Sequence, residues 1–575
     1  MSSSQQHADP ETLARIAQAQ TFHGRALDET KLPFRHLGEM IDRQCDVGRD
    51  RPYLIAYRDD TGGRREEITY ARMRDRVDAV ARFMQERLGL AKGDRLATLL
   101  VNEPETVVIY FAAFKIGVVV VPINVAEEPE RIRYILEHSE ARALISHADT
   151  AARGAEAAEG LVALATLAQL GPEGSPGFEP LDLEALTGGA PLTPPEDLTH
   201  RDEALIVYTS GTTAQPKGVV LVHGNLLIDA WAISHWHGFR PEDRLMCVLP
   251  IHHVNGMIVT LLTPMLFGGS TVLCGRFRTS TFWSRIRDER VNVVSVVPTL
   301  LQFLCENRRE DLHPRLFHDF RYVICGAGPL TVDLGQRFEE AFGVPIIHGY
   351  GLSETTCYNC FLPIDLPPDS HRAFMRDHGF PSIGVPIACN EMAIHDAEGR
   401  AAGAGVRGEI VVRGWDVMRY YFGRPEVNRD TFAHGWFRTG DEGFYKLDEA
   451  NRPFFFITGR LKELIIRGGV NISPFEIDEV LNQIPGIARG LAVGFDNDWY
   501  GEEVGAYVKR DSGAALDEQA VLDACRGHLP FHKQPKCVVF GEEIPVTSTG
   551  KYQRIKLKPL FERWKSEQFR DRKKR

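Results

Sequence analysis

The stretch V-Y-T-S-G-T-T-A-Q-P-K-G-V-V, residues 207–220, sets four Ser/Thr hydroxyls, two glycines and a lysine between two apolar runs. Those flanking runs read as strands, so the polar segment is the connection between them. Gly211 lets backbone N–H groups approach an anion. Thr209, Ser210, Thr212 and Thr213 supply donors, and Lys217 supplies charge. Phosphate is the anion this set suits. The loop is not the usual phosphate-binding pattern, because Lys217 precedes Gly218 and no Ser or Thr follows the lysine. A connection at the end of strands is nevertheless where α/β sheets hold ligands.

Outward from this loop, apolar β-runs recur at residues 204–208, 244–249, 270–273, 291–297, 322–325 and 345–347. They alternate with helical stretches, which predicts a large parallel or mixed sheet in an α/β layer fold. Upstream, residues 53–70 read as a hairpin turning at D-D-T-G-G. Thr69 then caps a helix whose buried stripe is Met73, Val77, Val80, Met84 and Leu88, with Gly89 as the stop signal and R-L-A-T-L-L-V as the next strand. The apolar run at residues 107–123 approaches the length of a membrane span, but Lys115, Gly117 and Pro122 interrupt it. A buried helix ending near Gly117 and a short strand are expected instead. Residues 147–200, rich in Ala, Gly, Glu and Pro, read as surface helix and loop without chemistry. From Gly408 the pattern changes to short strands and Gly turns, and beyond Arg460 a compact unit of about a hundred residues begins.

Composition narrows the class. The 575 residues carry 67 Lys plus Arg against 78 Asp plus Glu, a formal charge of −11, which argues against a nucleic-acid binder. The ten cysteines are too sparse for a disulfide scaffold and suit a reducing compartment. The N-terminus has no basic-then-apolar pattern, so a cytoplasmic protein is expected. Cys357 and Cys360 have C-x-x-C spacing, but no second such pair exists to complete a zinc set.

Further Gly-rich segments follow predicted strands: G-A-G-P-L at residues 326–330 and H-G-Y-G-L-S-E-T-T at 348–356. Glu354, between Ser353 and Thr355, is a candidate Mg²⁺ ligand, since that hard cation takes oxygen donors and accompanies phosphates. W-F-R-T-G-D (436–441), T-G-R-L-K-E (458–463) and P-V-T-S-T-G-K (545–551) place Asp441, Arg460 and Lys551 in or beside Gly turns. The ordered set, from Y-T-S-G-T-T-x-x-P-K-G through Y-G-L-S-E, G-E-I-V-V-R-G, W-F-R-T-G-D and G-R-L-K-E to P-x-T-x-x-G-K, resembles the acyl-adenylate-forming superfamily. That superfamily includes acyl- and aryl-CoA ligases, and the likeness runs from about Phe34 to Arg554.

The resemblance implies a large N-terminal domain of stacked α/β layers with a small β-barrel-like subdomain, then a small mobile α+β C-terminal domain. The corresponding boundaries are an extension at residues 1–33, the adenylation domain at 34–460, and the mobile domain at 461–575 with its hinge at Lys462. It implies that Thr209, Ser210, Gly211, Thr212, Thr213 and Lys217 cradle the β- and γ-phosphates of ATP. Gly326, Ala327, Gly328, Tyr350, Gly351 and Ser353 would line the adenine side, and Glu354 would hold Mg²⁺. Asp441, helped by Arg460, would take the ribose hydroxyls, while Lys551 would bridge the acyl carboxylate and the α-phosphate. Gly468 and Gly469 would approach the site for the thiol step. Ala214 departs from the glycine usual in this family.

L-P-I-H-H-V-N-G-M at residues 249–257 resembles the region between acyl pocket and thiol tunnel, which makes His253 a catalytic candidate. Asn255, Cys325, Cys357, Tyr358 and Asn359 are candidate pocket residues with His253. No aspartate lies between His252 and Thr260 to pair a substrate ammonium, which disfavours α-amino acids. The expected reaction is activation of a carboxylic acid to its adenylate, then transfer to coenzyme A; the pocket candidates suit a small or aryl acid with a polar substituent, with medium-chain fatty acids left open. A separate carrier protein or an amine is the alternative acceptor.

Overall fold

The computed structural model describes residues 7–58, 63–186, 189–209, 215–308, 317–546 and 552–570. The first helix after the predicted hairpin shows how the chain builds its layers. Pro52–Arg58 pairs antiparallel with Arg64–Thr69, and the Thr69 side chain accepts the Arg72 N–H at 3.2 Å to cap helix Tyr70–Glu86. Met73, Val77, Val80 and Met84 are all buried along that helix. Residues 59–62 of the expected turn lie outside the described set.

The apolar run beginning at Val107 lies within helix Pro104–Ile116, which closes on Gly117 in the left-handed region (φ 73°) before strand Val119–Pro122. Every residue of this helix except half-exposed Glu105 is buried, which is why it lacks an amphipathic stripe. Its Lys115 is fully buried and its ammonium is clasped between the carboxylates of Asp42 and Asp78. A charge so placed is tolerable only because two acids from two other helices meet it. Among the described residues no helix is long and apolar enough to cross a membrane.

Among the described residues the strands form two large sheets, one smaller one and a two-stranded hairpin near the N-terminus. The eight-stranded sheet runs, in spatial order, Tyr420–Tyr421, Lys217–Val222, Glu203–Thr209, Val119–Pro122, Arg95–Leu99, Ala143–Ser146, Thr166–Leu170 and Glu179–Leu181. Its last two members fall in the Ala/Gly-rich region expected to be helix and loop only. Leu167 and Leu170 pack partly buried against the core while Thr166 and Glu179 remain half-exposed, a short mixed pattern with little periodicity to read. The thirteen-stranded sheet has a parallel middle, from Ile346–Tyr350 through Tyr322–Cys325, Val293–Val296, Arg244–Cys247 and Ser270–Cys274 to Pro52–Arg58. Beyond Ile346–Tyr350 it turns antiparallel. The region expected as a barrel-like subdomain is an open extension of this sheet through Ser382–Pro386, Pro453–Arg460, Phe437–Leu447, Gly408–Gly414 and Asn390–His395. The path ends on that last strand without returning to close.

Beyond Arg460 a five-stranded sheet, Val470–Ile472, Ile465–Arg467, Gly501–Arg510 and Ile487–Asn497 with Cys537–Phe540 beside Gly501–Arg510, has apolar cores of its own. It touches the larger part of the chain at the N-terminus of helix Val332–Phe342. There the Glu479 carboxylate accepts the N–H groups of Val332 and Asp333, each at 3.1 Å. Burial raises the Glu479 pKa to about 7.

Candidate active site

Glu203–Thr209 and Lys217–Val222 pair antiparallel, and Thr209 opposite Lys217 is the last rung before the connection. The loop between two strands is therefore a hairpin tip in an otherwise largely parallel sheet. Ser210, Gly211, Thr212, Thr213 and Ala214 lie outside the described residues. Thr209 and Lys217 stand at the tip's base.

Lys217 is half-buried, and its ammonium sits 4.4 Å from the ring centre of Tyr421 and 3.4 Å from that residue's hydroxyl. Burial lowers its pKa, Glu354 opposes that, and Lys462, Arg460 and Arg424 add to the lowering. Lys217 thus feels three further cations and one carboxylate. Tyr421 is fixed because Tyr420–Tyr421 is the neighbour of Lys217–Val222, with Val219 opposite Tyr421. Its hydroxyl donates to Glu354 Oε1 at 2.7 Å. Glu354 occupies the 3₁₀ turn Ser353–Thr355, and its own carbonyl accepts the Met418 N–H at 2.8 Å. Gly351 just before this turn is obligatory, since a Cβ there would lie 1.8 Å from the Cys357 carbonyl oxygen.

A second cluster faces this one. Asp441 pairs in register with Arg460 across adjacent strands, and the Arg460 Nε lies 3.1 Å from Asp441 Oδ1. The Tyr350 hydroxyl donates to Asp441 Oδ2 at 2.7 Å. Asp441 and then Glu463, Tyr350 and Glu354 hold the Arg460 guanidinium charged against its burial, so the two clusters feel each other. Glu409 pins the turn before Asp441: it accepts the Gly440 N–H at 2.9 Å and pairs with Arg438. Gly440 has φ 73° there.

Gly326, Ala327 and Gly328 follow strand Tyr322–Cys325. A Cβ at Gly326 would lie 2.5 Å from the Tyr358 hydroxyl, and Ala327 adopts φ 61°, a left-handed conformation costly for a residue with a Cβ. Beneath them the Ser295 hydroxyl donates to Asn255 Oδ1 at 2.7 Å, and Asn255 Nδ2 donates to the Tyr358 hydroxyl at 3.0 Å. Cys325 and Cys357 are buried nearby, their thiol pKa values pushed up by burial. Asn359 is committed elsewhere: its oxygen accepts from Thr355 at 2.7 Å and its nitrogen donates to Asp416 at 3.1 Å. His253 is half-buried, turns back through its N–H to the Pro250 carbonyl at 3.2 Å, and packs on His252 at 4.3 Å between ring centres. Gly256 allows that turn, since a Cβ there would lie 2.4 Å from the Pro250 oxygen.

Lys462 is exposed in the 3₁₀ turn Leu461–Glu463. Gly468 and Gly469, both with positive φ (56° and 83°), form the tip joining Ile465–Arg467 to Val470–Ile472. Lys551 lies outside the described residues. Tyr421, Glu409, Ser295 and Asp416 are the site's unforeseen members. Tyr421 gave no local signal, because its meaning comes from a strand some two hundred residues earlier.

The Lys217–Tyr421–Glu354 and Tyr350–Asp441–Arg460 clusters are thus coupled through Arg460 and Glu354. The AMP-binding enzyme family matches residues 41–422, and the AMP-binding enzyme C-terminal domain matches residues 476–551. The chain belongs to the AMP-binding enzyme family.

Relatives within it include the sulfoacetate–CoA ligase of Cupriavidus necator, 34% identical over 91% of this chain and 97% of that protein. The oxalate–CoA ligase of Arabidopsis thaliana is 31% identical over 85% of this chain and 92% of its own length. The crystal structure of ATP-bound MatB from Rhodopseudomonas palustris superposes with a TM-score of 0.79 at 28% identity, covering 91% of this chain and 99% of MatB. This family member is an AMP-forming acid–thiol ligase working through an acyl-adenylate.

Proposed function

We propose that the chain joins a small carboxylic acid bearing a polar group to coenzyme A at the expense of ATP, releasing pyrophosphate and then AMP. The observation that carries this reading is the linked set at the base of the hairpin, Lys217 on Tyr421 and Tyr421 on Glu354, with the Asp441–Arg460 pair coupled to it. A carboxylate attacking the α-phosphate brings two anions together, so catalysis is mainly charge neutralisation and alignment. Thr209, Ser210, Gly211, Thr212, Thr213 and Lys217 hold the phosphates that leave. Asp441 takes the ribose hydroxyls, oriented by Arg460 and Tyr350. The Gly326-Ala327-Gly328 turn with Gly351 and Ser353 receives adenine. Lys551 bridges the acyl carboxylate and the α-phosphate.

Mg²⁺ fits the donor set, because Glu354 offers carboxylate oxygens beside the phosphate positions and that ion is commonly held by one or two carboxylates plus substrate phosphates. When bound, it supplies positive charge to the phosphate oxygens. Tyr421, donating to one oxygen of Glu354, orients the carboxylate.

The acyl group enters beside Cys325 and Cys357, above the Ser295–Asn255–Tyr358 row, and His253 stands between it and the incoming thiol. A buried polar floor suits a short acid with a hydrogen-bonding substituent better than a long alkyl chain, as do the acids named for the sulfoacetate and oxalate ligases. The domain from residue 461 turns about Lys462 between the half-reactions, exchanging Lys551 for the Gly468-Gly469 tip. The Glu479 contact on helix Val332–Phe342 is one that such a turn breaks. Ten free cysteines fit a reducing, cytoplasmic setting.

The test is pyrophosphate release from ATP and Mg²⁺ over a panel of short polar, aryl and medium-chain acids, with and without coenzyme A. Thioester formation with a short polar acid is the expected result. Preference for medium-chain acids would overturn the substrate class, and no release with any acid would overturn the activity.

A further inference from the structure

The N-terminal segment precedes the family match, which begins at residue 41, yet it is bound to the strand that carries Tyr421. At its near end, buried His7 stacks on Tyr420 with ring centres 4.4 Å apart, and its Nδ1 accepts the Gly423 N–H at 2.9 Å. The His7 carbonyl accepts from Asn428 Nδ2 at 3.0 Å. Fully buried Asn428 also brackets Tyr421, donating to its carbonyl and accepting its N–H, both at 2.8 Å. A continuous run of contacts therefore leads from His7 through Asn428 and Tyr421 to Glu354.

The far end grips the other side of the same strand. Helix Pro10–Ala19, capped by Asp9, delivers Gln20, whose Nε2 donates to the Met418 carbonyl at 2.7 Å. Met418 in turn donates its N–H to the Glu354 carbonyl. The hairpin Thr21–Phe22 with Arg25–Ala26 continues the hold: the Arg25 carbonyl accepts from Trp415 Nε1 at 2.8 Å, and the His23 N–H donates to Glu391 at 2.9 Å.

We propose that residues 7–26 are a positioning strap for the phosphate end of the nucleotide site, with His7 and Gln20 as positioning residues acting through Asn428 and Met418 on Tyr421 and Glu354. The inference rests on the reading of Glu354 given above. A hydrogen-bonded segment clamping both flanks of a two-residue strand keeps the Tyr421 hydroxyl aimed at one carboxylate oxygen, which an edge strand of that length cannot do unaided.

The experiment compares His7→Ala/Gln20→Ala with His7→Asn, whose amide oxygen replaces the Nδ1 acceptor, and with Asp28→Ala, just beyond the strap, as a control. MgATP affinity is measured by calorimetry and Mn²⁺ affinity in the presence of ATP by electron paramagnetic resonance, beside KM for the acid and the melting temperature. The double variant should weaken both affinities about five- to tenfold, with KM for the acid within about twofold of the parent. His7→Asn should stay near the parent, and Asp28→Ala should be neutral. Unchanged MgATP and Mn²⁺ affinities in the double variant, with only a lower melting temperature, would reduce the segment to a structural element. If the double variant does not fold, Gln20→Ala alone gives the same readouts. Glu354→Gln in the full chain separates the two levels: if it too leaves Mn²⁺ affinity unchanged, the failure lies in the role given to Glu354.

Discussion

Replacing Asp416 by Asn should stabilise the protein, and more at pH 8 than at pH 5. Asp416 is fully buried behind the Glu354 turn. Its Oδ2 accepts from Asn390 at 2.8 Å and Asn359 at 3.1 Å, and its carbonyl accepts from Thr356. Burial raises its pKa from 3.8 to about 7. The neighbouring Asp229, also fully buried, is raised well above the carboxylate range by burial and then by the charge of Asp416. Because the folded-state pKa is the higher one, the fold prefers the neutral acid. No penalty exists below the unfolded value of 3.8. As pH rises from there to about 7, the unfolded chain ionises while the folded chain keeps its proton, so stability falls across that window and stays low above it.

At ~1.4 kcal/mol per unit the full penalty is about 4 kcal/mol. An asparagine cannot ionise and its Oδ1 can still accept both amide donors, so Asp416→Asn removes that penalty. Urea unfolding should show a gain approaching ~4 kcal/mol at pH 8 and under ~2 kcal/mol at pH 5. A variant less stable than the parent at pH 8 would refute the reasoning, since it would mean that Asp416 is ionised in the fold and compensated by a cation.

Other predictions concern the reacting end of the site. Tyr421→Phe removes the hydroxyl that orients Glu354 and should raise the half-saturating Mg²⁺ concentration about tenfold, the scale of a hydrogen bond to a charged group, with KM for the acid unchanged; magnesium titrations of pyrophosphate release check this. Lys551→Ala should abolish adenylate formation yet leave thioester formation from a supplied acyl-adenylate within a few-fold of the parent. Loss of both half-reactions in single-turnover assays would contradict domain alternation.

Much of this site was legible because its parts are local. The hydroxyl-rich tip, the S-E-T turn, the T-G-D turn and the G-R-L-K-E segment each announce themselves by residue type; the S-E-T turn follows strand Ile346–Tyr350 and G-R-L-K-E follows the end of Pro453–Arg460, as their apolar flanks predict, whereas T-G-D lies within Phe437–Leu447. What was not legible depends on register between distant strands. Tyr421 matters only because it lies opposite Val219. Glu409 matters because its strand runs beside Phe437–Leu447 and lets it accept from Gly440. Asn359 shows the converse: its place beside Cys357 suggested a pocket residue, but its amide is spent on Thr355 and Asp416. Strands Thr166–Leu170 and Glu179–Leu181 escaped notice for a different reason, being short strands, the second at the sheet edge, in a Gly- and Pro-rich stretch with no strong β-propensity.

Direct observation of the intermediate tests the central claim most sharply. The enzyme, incubated with ATP, Mg²⁺ and its acid but no coenzyme A, should accumulate a bound species with the mass of the acyl-adenylate and release pyrophosphate. Adding coenzyme A should discharge that species to thioester and AMP in a single turnover. Formation of ADP with an acyl-phosphate, or an acyl-adenylate that coenzyme A leaves untouched, would contradict the account.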